Sequence, residues 1–139
     1  MNCVIEPGLL EGTVSIPASK SAAHRALICA ALAKGTSRLT NLSDSEDIAA
    51  TIGALQQMGA KITRTGSSVT VTGILEPPTQ PITLDCGESG STLRFLIPVA
   101  AALGLTCTII GKGRLPYRPL DAYLRELPKK GISIQPERQ

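Results

Sequence analysis

Lys20, Ser21 and Arg25 follow Pro17-Ala18-Ser19 at a point where a short strand pattern gives way to a helical one. Thr13-Val14-Ser15-Ile16 alternates polar and apolar residues with β-branched character, as a strand does, and Pro17 closes it. From Ser21 to Lys34 the chain is rich in Ala and Leu and free of Gly and Pro, which predicts a helix with Ser19 as its N-cap. The unpaired N–H groups at such a helix start favour an anion. A lysine, a hydroxyl and an arginine within the first turns make the place suited to phosphate or carboxylate. The plainer reading of the same residues is a capped surface helix with solvated basic side chains. Gly87-Glu88-Ser89-Gly90-Ser91-Thr92-Leu93-Arg94 repeats the theme: small and hydroxyl-bearing residues at a helix start, with an arginine just inside. Its plainer reading is a pair of glycines, Gly87 and Gly90, that permit a tight turn or close packing. The recurrence of the arginine favours two anion-binding helix starts.

Composition narrows the partners. A chain of 139 residues, 42% hydrophobic, can bury one core or two small lobes leaning on each other. The net charge of +3 is mild and scattered, and the aromatic side chains are Phe95, Tyr117 and Tyr123 alone. Small acidic molecules fit this balance; nucleic acid, which calls for a basic stripe or stacking platforms, does not. No apolar run reaches membrane-spanning length, and the first residues lack the basic-then-apolar layout of a signal peptide, so no membrane partner is expected. Cys3, Cys29, Cys86 and Cys107 are far apart, and His24 is the single histidine, so neither a metal site nor a cofactor is expected. Dispersed thiols among apolar neighbours predict buried, reduced core cysteines and a cytoplasmic setting. The expected role of His24 is packing or a surface hydrogen bond.

The elements that must hold these residues alternate. Cys3–Glu6 reads as a strand and Pro7-Gly8 as a break. After the first helix Gly35 stands where a C-cap glycine belongs. Ser37–Leu42 alternates as a strand, and Ser43–Asp47 supplies caps and acidic residues for a second helix. There Ile48, Ile52, Leu55 and Met58 fall at helical spacing before Gly59 ends it. Lys61–Arg64 and Val69–Thr72 flank Gly66-Ser67 as a hairpin, and the proline-containing stretch Glu76–Pro81 is a connector. A strand at Ile82–Asp85, a helix from about Gly90 to Leu103 and a strand at Thr106–Ile110 follow. The loop Gly111-Lys112-Gly113 then leads to a last helix, Pro119–Leu127, and a strand at Ile132–Ile134.

The order strand–helix–strand–helix–strand occurs twice. An offset of 69 residues pairs Arg25 with Arg94, Leu27 with Leu96, Ile28 with Ile97, Ala31 with Ala100 and Gly35 with Gly104. This predicts an internally repeated α/β architecture.

Pro17-Ala18-Ser19-Lys20-Ser21 with His24-Arg25-Ala26-Leu27 resembles the first signature of the 3-phosphoshikimate 1-carboxyvinyltransferase (5-enolpyruvylshikimate-3-phosphate synthase) family. Cys86–Arg94 looks like that family's second, glycine-rich motif, and Tyr117-Arg118-Pro119-Leu120 is similar to its third. The motifs stand in family order and span nearly the whole chain. The resemblance implies transfer of the enolpyruvyl group of phosphoenolpyruvate to the 5-hydroxyl of shikimate 3-phosphate, with release of phosphate, in the shikimate pathway of aromatic amino-acid and chorismate biosynthesis. It also implies an α/β (α+β) fold of repeated β-α-β-α-β-β units, about two of them here: a first over residues 12–75 and a truncated second over 82–139. Residues 1–139 would form the N-terminal region of such an enzyme, with the rest of the enzyme chain as a partner and no activity alone.

Carried over by position, Lys20 would be the catalytic contact to phosphoenolpyruvate, with Gly90 lending a backbone N–H and Arg118 a planar fork. Lys20, Ser21 and Arg25 would hold shikimate 3-phosphate. Asp47, Glu88, Ser91 and Arg94 align as support for the active site, with pairing to Asp47 or Glu88 an alternative for Arg94. Two departures stand out: Glu88 occupies a position where many members have asparagine, and Ala18 replaces the signature glycine. The family's proton-transferring carboxylate and lysine, and its serine-serine-glutamine cluster, lie downstream of the matching residues. Two rival readings fit parts of the sequence. The UDP-N-acetylglucosamine enolpyruvyltransferase has asparagine after the lysine and a cysteine in a mobile loop; here Ser21 follows Lys20, and Gly111–Arg114 holds no cysteine. The other rival is a non-catalytic anion-binding α/β module.

Overall fold

Three serines set where the long helices begin. Ser19, Ser45 and Ser89 each sit in extended backbone and accept a hydrogen bond at Oγ from the amide three residues on, that of Ala22, Ile48 and Thr92. Each cap satisfies one of the donors that a helix start leaves unpaired. The computed structural model describes residues 3–9 and 11–136. Helix α1 spans Lys20–Leu32, α2 Glu46–Gln57, α3 Gly90–Ala102 and α4 Asp121–Glu126. Strands β1 (Thr36–Leu39), β2 (Lys61–Thr65) and β3 (Ser68–Thr72) form one antiparallel sheet in the order β1-β3-β2. Strands β4 (Ile82–Asp85) and β5 (Cys107–Ile110) form a parallel pair, joined through α3. The fold is therefore mixed α/β.

The hairpin turns at Gly66-Ser67: Thr65 pairs with Ser68, and Gly66 takes a left-handed φ of 58°. Val69 and Val71 on one face of β3 are fully buried against a core that includes Leu27, Ile48, Leu55, Met58, Leu84 and Leu96. Helix α2 lies between α1 and β4 and also meets α3, so the three serine-capped helices share one core. A second, smaller cluster joins Cys86, Leu93, Ile97 and Leu115 to Leu120, Tyr123 and Leu127. The end of β3 crosses the C-terminus of α1. Gly73 donates to the Gly35 carbonyl at 3.0 Å, next to the β1–β3 pairing, and Ile74 to that of Ala31 at 2.8 Å, satisfying an acceptor that the helix end leaves open. A methyl group at Gly73 would overlap the carbonyl oxygen of Ala33.

Helix α3 carries Pro98 in its interior. Proline has no N–H to donate to the carbonyl four residues back, which is that of Arg94. The hydroxyl of Tyr123 on α4 donates to that carbonyl instead, at 3.0 Å. The broken bond in one helix is thus repaired by the next.

Several elements differ from the sequence expectation. Cys3–Glu6, Thr13–Ile16 and Ile132–Ile134 alternate as strands do but are not strands, because among the described residues no strand edge pairs with them. Val4, Ile5, Val14 and Ile16 are instead more than four-fifths exposed. The first helix ends at Ala33 in extended backbone, two residues before Gly35 takes its positive φ, so Gly35 turns the chain after the cap. The last helix is shorter than Pro119–Leu127, since Leu120 at its start offers no side-chain cap. Cys3 and Cys29 are exposed, and only Cys86 is fully buried; Cys29 lies on the outward face of α1. The caps Ser19 and Ser89 stand 70 residues apart, one more than the offset that aligns the arginines. Arg25 is therefore the sixth residue of its helix and Arg94 the fifth of its own, about 100° apart around the axis. Of the proposed repeat ranges, positions 137–139 lie outside the described residues.

Candidate anion-binding site

The start of α3 is held by two loops bonded to each other. Asp85 Oδ1 accepts from the Gly87 amide at 2.8 Å, Gly87 adopts φ 54°, and the Gly87 carbonyl accepts from the Lys112 amide at 2.8 Å. Strand pairing extends one step beyond β4, from the Cys86 amide to the Ile110 carbonyl at 2.9 Å. Gly111 is small because it must be, whereas Gly113 takes a left-handed φ of 60° that favours glycine. A methyl at Gly111 would meet Leu115 at 2.5 Å, and one at Gly113 would meet the Glu88 carboxylate at 2.6–2.7 Å. Gly113 thus lies against the Glu88 carboxylate.

The starts of α1, α2 and α3, with Glu88 just before α3 and Arg118 just after the Leu115–Tyr117 turn, line a cleft of about 310 Å³. Into it face Lys20, Asp47, Glu88, Gly90, Ser91, Arg94, Phe95 and Arg118. Lys20 forms an ion pair with Asp47 from the first turn of α2. The guanidinium groups of Arg94 and Arg118 converge over Gly90: their Nη1 atoms lie 3.3 and 3.5 Å from the point where a Cβ at Gly90 would stand. Three cations against two carboxylates leave the cleft positive. Among the described residues neither arginine is within ion-pair distance of a carboxylate. The alternative pairing of Arg94 with Asp47 or Glu88 is not observed; its Nη2 points to the Pro119 carbonyl at 3.5 Å. Two planar forks, a lysine and a helix start directed at one space suit a phosphate or carboxylate group.

The cleft gathers seven of the nine site residues read from the sequence. Ser21 and Arg25 flank it without lining it. Arg25 donates to the Ser21 carbonyl at 2.9 Å, and its guanidinium lies 5.0 Å from the centre of the Phe95 ring. Phe95 was not singled out by sequence; its one signal is that the chain's only phenylalanine adjoins Arg94. Arg118 has the extended backbone that a following proline demands, ψ 136°, which lifts its side chain out of the 3-10 turn at Leu115–Tyr117. His24 is fully buried, which excludes the surface hydrogen bond. Burial lowers its pKa below the ordinary 6.5, Asp47 opposes that, and Lys20 and Arg25 add to it. Burial, with help from the Asp85 carboxylate and Cys107, pushes the Cys86 thiol up to about 12. Among the described residues no group of acidic, histidine and cysteine side chains has the arrangement to hold a metal.

Residues 4–139 match the family described as EPSP synthase (3-phosphoshikimate 1-carboxyvinyltransferase). The chain belongs to the EPSP synthase family. It is 48% identical over 138 residues to the 3-phosphoshikimate 1-carboxyvinyltransferase of Clostridium beijerinckii, covering 94% of this chain and 32% of that protein. The Clostridioides difficile enzyme of the same name is 43% identical, with 92% and 32% covered. Among solved structures, EPSP synthase from Acinetobacter baumannii superposes with a TM-score of 0.77 at 30% identity, over 89% of this chain and 28% of that one. The chain thus spans about a third of the length of the EPSP synthases it matches. No helix among the described residues is long and apolar enough to cross a membrane.

Proposed function

We propose that this chain supplies one wall of the active site of an enzyme that transfers the enolpyruvyl group of phosphoenolpyruvate to the 5-hydroxyl of shikimate 3-phosphate, releasing phosphate. The supporting observation is the convergence of Lys20, Arg94 and Arg118 on the start of α3 in one cleft, with neither arginine paired to a carboxylate among the described residues. Lys20, Gly90 and Arg118 take phosphoenolpyruvate, Gly90 through its backbone N–H. Ser21 and Arg25, on the flank beside Phe95, take shikimate 3-phosphate together with Lys20. Asp47 sets the position of the Lys20 ammonium, while Glu88, Ser91 and Arg94 complete the wall.

The chemistry of this wall is charge neutralisation and placement. Two polyanions repel one another; three cations and a helix start offset that repulsion and bring the hydroxyl near the enol carbon. The residues here bind and orient, and the proton-transferring carboxylate and lysine are contributed by the remaining length of the enzyme. Alone, the chain binds without turnover.

The test is an NMR titration of the chain with phosphoenolpyruvate and with shikimate 3-phosphate, a UDP-sugar serving as control. Amide shifts confined to 19–25, 87–94 and 118, lost for phosphoenolpyruvate in Lys20→Ala and Arg118→Ala, are the expected result. A response to the UDP-sugar alone, or unchanged affinity in both variants, overturns the reading.

A further inference from the structure

The scheme above leaves His24 without a task, although it is fully buried at the junction of three helices. Its Nδ1 lies 2.7 Å from Thr51 Oγ1 on α2, which lies 2.7 Å from Thr92 Oγ1 on α3. Thr92 Oγ1 in turn donates at 2.8 Å to Ser89 Oγ, the cap of α3. Both threonine hydroxyls also reach the backbone carbonyl of Asp47, at 3.2 and 3.4 Å. All four side chains are buried, and Phe95 presents its ring edge-on to the imidazole, with centroids 6.5 Å apart.

The proton count gives this chain of contacts a direction. His24 Nε2 is buried, and among the described residues nothing pairs with it. A buried N–H without an acceptor is rarer and costlier than a buried acceptor without a donor. The proton therefore sits on Nδ1, where Thr51 Oγ1 can accept it. Thr51, having accepted, spends its own proton on the Asp47 carbonyl or on Thr92. Thr92 donates to Ser89, which keeps its lone pair on the Thr92 amide. Imidazole, two hydroxyls and a cap thus tie the first turn of α2, which carries Asp47, to the start of α3, which carries Gly90 and Arg94. His24 stands one turn along α1 from Lys20, so the third helix is tied in as well.

We propose that His24, acting as an Nδ1–H donor, is a positioning residue for the anion cleft, setting the relative placement of Lys20, Asp47 and the Gly90 amide through Thr51, Thr92 and Ser89. This rests on the cleft being the substrate site, as proposed above. Asparagine can place an amide N–H close to where Nδ1–H stands; leucine keeps bulk and loses the donor. Thr51→Val keeps shape, leaves His24 in place and breaks the relay.

The experiment is 15N NMR of the imidazole and of the backbone amides in the unmodified chain, His24→Leu, His24→Asn and Thr51→Val, followed by titration with phosphoenolpyruvate. The expected result without ligand is a proton on Nδ1, with the Asp47, Gly90 and Ser91 amides shifted in His24→Leu and Thr51→Val and returned toward their original positions in His24→Asn. Phosphoenolpyruvate affinity should fall about tenfold or more in the first and third variants and stay within about threefold in His24→Asn. A proton on Nε2, unmoved Gly90 and Ser91 amides in Thr51→Val, or an asparagine variant as weak as the leucine one overturns the proposal. Should the unmodified chain fail to bind phosphoenolpyruvate, it is the function reading that falls, and the ligand-free spectra still decide the role of His24.

Discussion

Gly90→Ala should make the chain more stable and its cleft worse at binding anions. Gly90 is the first residue of α3 and its φ is not in the left-handed region, so alanine fits the backbone. No backbone atom blocks the new methyl; its nearest neighbours are Arg94 Nη1 at 3.3 Å, Arg118 Nη1 at 3.5 Å and Arg118 Cδ at 3.6 Å. Replacing glycine by alanine in a compatible helical position gains about 0.4–1 kcal/mol, mostly from a less flexible unfolded chain. For a domain of this size that raises the melting temperature by roughly 1–4 °C. The same methyl occupies the space where an anion's oxygen would meet both guanidinium groups. Losing one charge-assisted hydrogen bond there costs about 1.5–3 kcal/mol, or roughly 10- to 150-fold in affinity. The Gly90 amide itself is retained, so the loss reports space rather than a missing donor. Thermal unfolding and calorimetric titration with phosphoenolpyruvate read the two effects separately. Unchanged affinity would show that the arginines do not converge on the ligand, and a loss of both stability and binding would refute the open space above Gly90.

Gly73→Ala should cost at least about 2–3 kcal/mol in urea unfolding, since the methyl meets the Ala33 carbonyl and neither strand nor helix end can yield cheaply. Cys3 and Cys29 should alkylate with iodoacetamide at pH 8 in minutes while Cys86, raised to about 12, resists until the chain unfolds; mass spectrometry of timed samples distinguishes them. His24 titrates below its ordinary 6.5 when folded and at that value when unfolded, so between the two the unfolded chain holds the extra proton. Its contribution to stability is full above pH 6.5 and is lost as the pH falls from there to the folded value, by no more than about 1.4 kcal/mol per pH unit. His24→Asn should flatten that part of the profile in denaturant titrations from pH 7 to 5.

The helices were legible because caps and periodicity are local. Ser19, Ser45 and Ser89 mark their starts, and Ile48, Leu55 and Met58 mark the buried face of α2. Alternation in Thr13–Ile16 and Ile132–Ile134 specified which side chains want cover but not which strand edge supplies it. Pairing is a tertiary fact, and no described strand lies beside these segments. In the cleft, the basic residues were legible from motif and spacing. The convergence of Arg94 with Arg118 depends on the loop pairing between Gly87 and Lys112, 25 residues apart, and carries no local signal. The relay is more hidden still, since Thr51 and Thr92 lie 27 and 68 positions from His24 and look like ordinary helix threonines. The arginine offset of 69 was a fair guide to the two helix starts, yet the capping serines show that it is one short.

Pro98 and Tyr123 constrain the order in which this chain could have acquired its residues. With proline at 98 the Arg94 carbonyl depends on a phenol from another helix, so losing that hydroxyl would leave a part-buried acceptor without its helix partner. With a non-proline at 98 the helix supplies its own donor, and position 123 is released. The tyrosine is therefore the permissive step and the proline the later one: a lineage that reverted Tyr123 first would cross a destabilised intermediate, whereas one that reverted Pro98 first would not. The two positions should drift together across descendants of this chain, although they stand 25 residues apart and neither touches a substrate.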